Sequence, residues 1–418
     1  MDRFLINGPC KIKGTINLSG SKNASLPILA ATILFEEPVE IKNLPNVKDI
    51  RTMLDLIKSL GFIVKKNKIN NSIIIKKKNI KTFASYSLVK TMRAGILVLG
   101  PLLSKFKKAK VSSPGGCAIG VRPINIHLKA LAKLGVHYKI EQGYVIAKAP
   151  KGLIGAKIRF SKISVGATEN LIIAACLASG TTILSNCAIE PEIKDLVKFL
   201  RKLGCNINFI GKRIIKITGI KEIRNSTYSI MFDRIEAGTY LIAAAITEGD
   251  IKILNVDPRI LKTEINVLKK IGVNIVSKIS EIHIVGRKKI KGVNIKTAPY
   301  PGFPTDLQAQ IMVLLCKANK KTIIQEDIFE NRFMHVAELN RMGAKISTLG
   351  NKAYIDGSTK FVSAELMATD LRASVSLVLA ALSAKGKSVI NRIYHLDRGY
   401  ENIEKKLKKV GAKIKRIH

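Results

Sequence analysis

Six segments of the chain carry apolar or small residues at almost every position and lack the polar face of a surface helix. A helix that is apolar on all sides is typical of a buried position. The pattern therefore predicts six buried helices. Their segments are NASLPILAATIL, TMRAGILVLGPLL, GATENLIIAACLA, EAGTYLIAAAI, LQAQIMVLLCKA and LRASVSLVLAALSA.

A second pattern recurs once for each buried helix. An amphipathic stretch ends in an apolar residue followed by glycine, and alternating apolar and polar residues come next, as in RIIKITGI and EIHIVGR. Glycine suits the end of a helix because it adopts positive φ without strain, and strict alternation is typical of a half-buried strand. The glycines recur about every 70 residues, which indicates an internal repeat. They are Gly61, Gly135, Gly204, Gly272, Gly343 and Gly411.

Together the two patterns predict a repeated unit of strand, buried helix, strand, amphipathic helix and strand pair, which is an α/β fold. Six such units form two lobes of three units each. We expect the break between the lobes near residue 230, because the fourth buried helix begins there.

The composition supports large buried cores and carries an unusual charge. Of 418 residues, 47% are hydrophobic and 24% are charged, and Lys+Arg 71 against Asp+Glu 30 leaves a net charge of +41. Basic chains bind nucleic acids by releasing counterions, so a basic repeat protein that binds nucleic acid is the alternative from a different functional class. The lysines are spread over the whole chain, however, without the basic and aromatic clusters of RNA-binding modules. We interpret the excess as solvated surface charge and expect no specific nucleic-acid partner.

Cysteine usage and the lack of targeting segments indicate a reducing compartment. The chain has six cysteines and no C-x-x-C pair, which excludes a disulfide scaffold and a zinc ribbon. The start, MDRFLINGPCKIKG, has no apolar core of a signal peptide, and runs such as AGILVLGPLL are about half the ~20 residues that a membrane span needs. The histidines show no metal-ligand spacing. We expect a cytoplasmic monomer without membrane insertion, metal or cofactor.

Polar and charged residues cluster at the starts of the predicted buried helices. Helix N-termini favour anions because they carry partial positive charge and free N–H groups. If equivalent helices point the same way, these side chains gather at one face of each lobe and hold a phosphorylated, carboxylated substrate. Helix capping and surface charge are the alternative for each helix taken singly. The residues are Lys22, Asn23, Arg93, Lys162, Ser164, Thr168, Asp233, Arg234, Glu236, Asp306, Asp370 and Arg372.

Residues 112–123 read SSPGGCAIGVRP, a Gly/Pro/Ser-rich loop of the kind that can close as a lid. Cys117 lies at its centre, and Arg122 with nearby lysines favours the thiolate, so this cysteine can act as an acid or a nucleophile. An exposed cysteine without a role is the alternative. The cysteines that we expect in the apolar core are Cys176, Cys187, Cys205 and Cys316.

Three further segments, PYPGFPTDLQAQ, FENRFMH and YHLDRGYE, combine charged residues with turn formers. Asp306 begins a helix and can act as a base if burial disfavours its charge. Arg332 and Arg398 suit bidentate recognition of phosphate or carboxylate. An N-cap or a surface ion pair is the alternative for each residue alone.

These segments together resemble the enolpyruvyl transferase family, and most closely its branch that acts on UDP-N-acetylglucosamine. The resemblance runs from Met1 to the C-terminus, and the cysteine loop and ENRFMH are specific to that branch. A shikimate-type enolpyruvyl transferase, which shares the fold without that loop, is the alternative within the family. The motifs are SGSKNASLPILAA, KTMRAG, PGGCAIGVRP, KISVGAT, DRIEAGTYLIAAA, FPTDLQAQ, FENRFMH, ATDLRAS and RIYHLDRGYE.

The resemblance implies a two-lobed inside-out α/β barrel with three βαβαββ-type units in each lobe, helices inside and sheets outside. It implies a first lobe of residues 21–230, which carries the cysteine loop at 112–122. The second lobe would combine residues 1–20 and 231–418, with the active site in the cleft between the lobes.

The resemblance also implies the reaction. The enolpyruvyl group of phosphoenolpyruvate moves to the 3′-hydroxyl of UDP-N-acetylglucosamine with release of phosphate, by addition and elimination through a tetrahedral intermediate. This is the first committed step of peptidoglycan synthesis for the cell wall. The implied partners are these two small-molecule substrates.

The resemblance assigns Cys117 as the general acid for the phosphoenolpyruvate methylene and as a site of a covalent adduct, and Asp306 as the base beside the sugar hydroxyl. Lys22, Asn23, Arg122 and Arg398 match positions around phosphoenolpyruvate. The matches for the nucleotide sugar are Arg93, Arg122, Pro123, Ile124, Asn125, Ile126, Lys162, Ile163, Ser164, Val165, Asp306 and Ile328. Arg332, Asp370 and Arg372 match residues that support the cleft and the intermediate.

Asn125 is a departure from the family pattern, which usually has Asp at this position. An amide keeps a hydrogen-bond acceptor but loses the negative charge. We therefore expect altered contacts at the uracil end of the nucleotide sugar.

Overall fold

The computed structural model of the chain describes residues 2–67, 71–90, 92–113 and 124–418. Cys117, Arg122 and Pro123 lie outside the described residues, as does most of the predicted cysteine loop. Helices alternate with strands throughout the described ranges, so the predicted α/β class is confirmed.

The helices and strands follow in chain order. The α-helices are α1 (Lys22–Ala31), α2 (Lys48–Ser59), α3 (Tyr86–Val89), α4 (Leu99–Phe106), α5 (Asn125–Lys133), α6 (Val165–Ala175), α7 (Pro191–Lys202), α8 (Arg234–Ile246), α9 (Lys262–Ile271), α10 (Gln308–Cys316), α11 (Val336–Arg341), α12 (Leu371–Ser383) and α13 (Ile403–Lys409). The β-strands are β1 (Arg3–Gly8), β2 (Lys13–Asn17), β3 (Val39–Lys42), β4 (Phe62–Asn67), β5 (Ser72–Lys77), β6 (Phe83–Ala84), β7 (Lys108–Ser112), β8 (His137–Glu141), β9 (Tyr144–Lys148), β10 (Lys157–Arg159), β11 (Thr181–Ser185), β12 (Asn206–Gly211), β13 (Ile214–Thr218), β14 (Thr227–Ser229), β15 (Asp250–Leu254), β16 (Asn274–Lys278), β17 (Glu281–Val285), β18 (Ile295–Lys296), β19 (Thr322–Gln325), β20 (Ile346–Leu349), β21 (Lys352–Ile355), β22 (Glu365–Met367), β23 (Gly386–Asn391) and β24 (Ile414–Ile417).

The strands of the described residues form six four-stranded sheets with one common design. In the sheet β10-β11-β13-β12, β10 runs parallel to β11, while β13 pairs antiparallel with β11 and with β12. The chain passes through α6 between β10 and β11 and through α7 between β11 and β12. The predicted order of strand, buried helix, strand, amphipathic helix and strand pair is therefore confirmed in this unit.

Three sheets are completed by strands from distant parts of the chain. β2 pairs parallel with β15, with Gly14 opposite Ile251, and β14 pairs parallel with β3, with Tyr228 opposite Ile41. β1 lies between β23 and β24 in the last sheet. These long-range pairings unite segments that the repeat alone would assign to separate units.

The described residues divide into two compact units, each with its own apolar core. The terminal unit contains the residues up to Ser19 and Phe232–His418. The central unit contains the described residues from Gly20 to Met231. In the terminal unit the buried helices α8, α10 and α12 pack against one another, and in the central unit α6 packs against α1 and α4.

The helices that lack a polar face are buried, as predicted. All 13 residues of α8 are buried, while α7 buries one face and ends in the exposed cations Arg201 and Lys202. The repeated glycines have positive φ, 92° at Gly61 after α2 and 101° at Gly272 at the end of α9, as a left-handed helix end requires.

The second predicted buried helix differs from the expectation. The segment TMRAGILVLGPLL forms a 3-10 helix over Arg93–Val98 and then α4, and is not one continuous α-helix. Pro101 has no N–H to continue the α-helical ladder. The N–H of Gly100 instead donates to Asn170 Oδ1 at 2.8 Å, and a Cβ at Gly100 would lie 2.2 Å from that oxygen. Close packing against α6 therefore determines where the helix changes.

Candidate active site

Asp306 lies between two buried arginines in the terminal unit. Arg332 Nη2 donates to Oδ1 and Arg372 Nη2 donates to Oδ2, each at 2.8 Å. The arginine side chains are 6% exposed, whereas that of Asp306 is 24% exposed. Two charge-assisted hydrogen bonds fix the orientation of the carboxylate, which remains partly exposed. Arg332 and Arg372 therefore orient the carboxylate of Asp306.

The loop before Arg332 is held by a buried carboxylate that the sequence analysis missed. Glu326, 3% exposed, accepts Ile328 N–H at 2.8 Å and Phe329 N–H at 3.2 Å through Oε1. Its Oε2 accepts the hydroxyl of Thr305, directly before Asp306, at 2.8 Å. Glu326 therefore joins half-buried Ile328 to the turn that carries Asp306. The signal available for it was an acidic residue directly after the short segment TIIQ.

Arg372 is positioned by the first turn of α12. The side chain of Asp370 caps this helix, because Oδ1 accepts Arg372 N–H at 2.9 Å and Ala373 N–H at 3.1 Å. Ser164 caps α6 in the same way by accepting Ala167 N–H at 3.3 Å. Both residues were predicted near bound anions, and the structure assigns each of them a capping contact.

Arg398 is half-buried at the end of a short 3-10 helix, Ile393–Arg398, in the terminal unit. Its neighbour Asp397 accepts from Arg416 Nη2 at 2.6 Å. Arg416 also donates to Asp2 at 3.1 Å and to Glu404 at 3.3 Å. The segment before Arg398 is therefore tied to α13, to β24 and to the start of the chain.

In the central unit Lys22 begins α1 and pairs with a buried aspartate. Its Nζ lies 3.4 Å from Oδ2 of Asp49 in α2, and the two side chains are 12% and 8% exposed. Asn23 follows it and is half-buried. Asp49 orients the cation, a role that the sequence analysis did not assign.

The predicted nucleotide-sugar segments meet at His127 in the central unit. His127 lies in α5 two residues after Asn125, which is exposed, and three after buried Ile124. A Cβ at Gly166, in the first turn of α6, would lie 3.3 Å from Cε1 of the imidazole. The residues that directly follow the stretches 124–126 and 162–165 therefore lie close together. Within these stretches Lys162 and Val165 are exposed, and Ile126 and Ile163 are half-buried.

The hydrogen bonds of Asn170 determine the protonation of His127. Because Asn170 Oδ1 accepts from Gly100, its Nδ2 is the donor to Ile96 O at 3.1 Å and to His127 Nδ1 at 3.1 Å. The imidazole proton is thus assigned to Nε2. Burial, with a smaller effect from Arg93, lowers the pKa of His127 to about 4. The ring is neutral at physiological pH.

We expect this histidine to make the central unit sensitive to acid. Its pKa in the folded chain lies below the unfolded value of about 6.5, so the unfolded chain binds more protons between these values and stability falls as pH falls through that window. His127→Gln should reduce the loss of unfolding free energy between pH 7 and pH 5 by about 2 kcal/mol. Urea unfolding at both pH values measures it. His137→Gln, at an exposed histidine of β8, is the matched control, and equal pH dependence in the two variants would contradict the prediction.

The predicted site residues thus fall into two groups. Asp306, Arg332, Asp370 and Arg372 meet in the terminal unit, which also holds Ile328 and Arg398. The group in the central unit is Lys22, Asn23, Arg93, Ile124, Asn125, Ile126, Lys162, Ile163, Ser164 and Val165.

The described ranges contain neither a cluster of metal-ligating side chains nor a membrane-spanning helix. No group of three or more His, Cys, Asp or Glu side chains in those ranges could hold a metal ion. No helix within them is long and apolar enough to cross a membrane.

Comparison with known proteins shows the family to which the chain belongs. The family model for EPSP synthase (3-phosphoshikimate 1-carboxyvinyltransferase) matches residues 6–407. A protein named UDP-N-acetylglucosamine 1-carboxyvinyltransferase, from Pelagibacter ubique (strain HTCC1062), is 71% identical over 419 residues and covers 100% of both chains. A protein of the same name from Geotalea uraniireducens (strain Rf4) is 52% identical over 418 residues, again with 100% of both chains covered.

Solved structures of lower identity share the fold. The enolpyruvyl transferase NikO from Streptomyces tendae aligns with a TM-score of 0.91 at 24% identity, covering 99% of this chain and 98% of that one. An EPSP synthase from Acinetobacter baumannii aligns with a TM-score of 0.77 at 17% identity, covering 100% of both. At these identities the likeness concerns the fold alone, and it confirms the enolpyruvyl transferase fold implied by the sequence motifs.

Proposed function

We propose a function from the premise that this chain belongs to the EPSP synthase family of enolpyruvyl transferases and, within it, to the UDP-N-acetylglucosamine 1-carboxyvinyltransferases. The chain is a transferase that moves an enolpyruvyl group onto UDP-N-acetylglucosamine in the first step of peptidoglycan synthesis. The donor that we propose is phosphoenolpyruvate, with release of phosphate. We further propose that the enzyme works in the cytoplasm as a monomer.

The observation that carries this proposal is the carboxylate of Asp306 between Arg332 and Arg372. A partly exposed carboxylate can accept a proton from a sugar hydroxyl. The two guanidinium groups fix its direction, so a bound hydroxyl meets the oxygen in one orientation. We propose that Asp306 is the base that activates the 3′-hydroxyl.

The proposed chemistry needs one proton donor and one acceptor. As Asp306 takes the hydroxyl proton, the sugar oxygen bonds to C2 of phosphoenolpyruvate and Cys117 delivers a proton to the methylene carbon C3. The Cys117 thiolate formed in this step then takes a proton from C3 as the bond between C2 and the phosphate oxygen breaks. Phosphate leaves with the electron pair of that bond, and the double bond is restored. Cations orient and stabilise the negative charges of the donor throughout.

Lys22, Asn23, Arg122 and Arg398 are the residues that we propose for phosphoenolpyruvate. The pairing of Lys22 with Asp49 supports this role, because it limits the directions in which the ammonium group points. For the nucleotide sugar we propose the stretches around Asn125 and Ser164, with Arg93 near His127. Arg332, Asp370 and Arg372 support the reacting centre through Asp306 and the α12 cap.

Acceptor-dependent phosphate release tests the function. The purified full chain is incubated with phosphoenolpyruvate and one acceptor at a time, either UDP-N-acetylglucosamine, UDP-glucose or shikimate 3-phosphate. We expect rapid phosphate release with UDP-N-acetylglucosamine alone. Release with shikimate 3-phosphate alone would overturn the proposed acceptor.

Nucleic-acid binding is the competing function suggested by the net charge of +41. Filter binding of duplex DNA across a salt series tests this competing function. Contacts to DNA phosphates weaken steeply as the salt concentration rises. We expect weak binding that disappears at physiological salt. Tight, sequence-dependent binding together with an inactive enzyme assay would favour the competing function.

A further inference from the structure

The terminal unit contains a buried polar cluster to which the proposed reaction assigns no role. Tyr400, 2% exposed, lies among Thr239 of α8 and Gln310 of α10, both 0% exposed. The hydroxyl oxygens of Tyr400 and Thr239 are 2.8 Å apart, and Gln310 Nε2 lies 3.3 Å from each. We name these three residues the Tyr400 cluster. Buried polar groups that bond one another hold a core in a single arrangement.

One arm of the Tyr400 cluster reaches the backbone of Asp306. Gln310 Nε2 donates to the carbonyl oxygen of Asp306 at 2.9 Å, where the 3-10 turn Thr305–Leu307 enters α10. The same amide nitrogen faces the hydroxyls of Tyr400 and Thr239. The cluster therefore restrains the turn from which the Asp306 carboxylate projects.

A second arm reaches the side chain of Asp306 through Arg372. The guanidinium carbon of Arg372 lies 5.5 Å from the centroid of the Tyr400 ring, and Nη2 of that arginine donates to Asp306 Oδ2 at 2.8 Å. A cation over an aromatic face is attracted by the ring quadrupole and loses freedom to rotate. Tyr400 thus contacts both Gln310, which bonds the backbone of Asp306, and Arg372, which bonds its carboxylate.

Tyr400 also follows the segment that carries Arg398. A Cβ at Gly399 would lie 2.7 Å from Cδ2 of Leu371, so this segment packs directly on the first turn of α12. Arg372 is the next residue of that turn. The backbone from Arg398 to Tyr400 therefore packs against the turn that carries Arg372.

We infer that Tyr400 is a positioning residue for the transfer reaction, which holds Asp306 and Arg372 in their reactive geometry and fixes them relative to the Arg398 segment. The inference rests on the proposed function of Asp306 as the base. The hydroxyl restrains the Asp306 turn through Gln310, and the ring restrains Arg372. Small displacements of reacting groups cost large factors in rate, so the hydroxyl should matter for turnover more than for folding.

Tyr400→Phe in the full chain tests the inference. The ring and its contact with Arg372 remain, while the hydroxyl is lost. We expect kcat to fall about ten- to a hundredfold, with KM for UDP-N-acetylglucosamine changed less than about twofold. Tyr240→Phe is the matched control, because Tyr240 is equally buried in the same unit and its hydroxyl lies outside the Tyr400 cluster. This control should keep the parental kcat.

A double variant separates positioning from general loss of packing. Gln310→Leu should also lower kcat, and Tyr400→Phe combined with Gln310→Leu should be no slower than the slower single variant, because both interrupt one path to Asp306. A kcat for Tyr400→Phe within twofold of the parent, or multiplicative effects in the double variant, would overturn the inference.

A substrate-free measurement distinguishes failure of the inference from failure of the proposed function. Thermal unfolding of Tyr400→Phe, Gln310→Leu and the double variant reports their coupling without any reaction. Non-additive changes in melting temperature would support coupling within the Tyr400 cluster whether or not the parent chain is active. A parent chain that releases no phosphate would instead refute the proposed function. Additive melting temperatures would contradict the cluster itself.

Discussion

Asp306→Asn is expected to lower kcat about 10²- to 10⁴-fold, because an amide cannot take the proton of the acceptor hydroxyl. The substitution keeps the size of the side chain. Its oxygen can still accept from one arginine, but its NH₂ group then faces the other, and Arg332 or Arg372 is left without an acceptor at that position. Initial rates of phosphate release at saturating substrates measure the effect.

The control for this prediction is Asp257→Asn. Asp257 also pairs with an arginine in the terminal unit, Arg259 at 2.9 Å, but lies outside the proposed site. We expect it to keep the parental rate. The base assignment would be wrong if Asp306→Asn retained more than about a tenth of the parental kcat with normal folding, since a general base contributes at least about a hundredfold.

Cys117→Ser is expected to lose about 10²- to 10⁴-fold in kcat, because a hydroxyl is a much weaker acid than a thiol and protonates carbon poorly. Cys117→Asp should retain more activity, since a carboxylic acid can also donate a proton. The same phosphate-release assay compares the two variants. Equal activity of the serine and aspartate variants would contradict the role of Cys117 as an acid.

The other five cysteines provide the control for Cys117. All five are buried, and burial raises the pKa of Cys187 and of Cys316 to about 12. The thiolates of these two are therefore scarce at neutral pH, and burial shields all five side chains from an alkylating reagent. We expect iodoacetamide to inactivate the enzyme with one label, on Cys117, as located by mass spectrometry. Cys10→Ser should keep full activity, and a first label on Cys10 or Cys176 would refute the assignment.

Much of the fold was predictable because the repeated pattern is local. Helices without a polar face have to be buried, so the segments of α8 and α12 were identified from composition alone. The glycines at helix ends were identified because few other residues adopt positive φ without cost. The strands were identified from the alternation of apolar and polar residues, because successive side chains of a strand point to opposite faces of the sheet.

The sequence predicted which residues belong to the candidate site, but it did not predict which of them contact one another. Asp306, Arg332 and Arg372 stand in three separate segments, and each alone would suit an N-cap or a surface pair. The packing of α10 and α12 in one core brings Arg372 to Asp306, and the loop held by Glu326 brings Arg332 to the same carboxylate. Glu326 and Tyr400 escaped notice because their importance depends on those same neighbours.

By itself the sequence determined the repeated unit, the buried helices and the residue types available for chemistry, since these depend on local periodicity and side-chain chemistry. Tertiary structure alone decided which strands pair, as when β2 joins β15, because alternation specifies the face of a strand but not its partner. It also decided the break before α4, where Asn170 takes the N–H of Gly100, and the neutral state of His127, which burial imposes. Each of these outcomes depends on groups distant in the chain, whose mutual distances no local pattern contains.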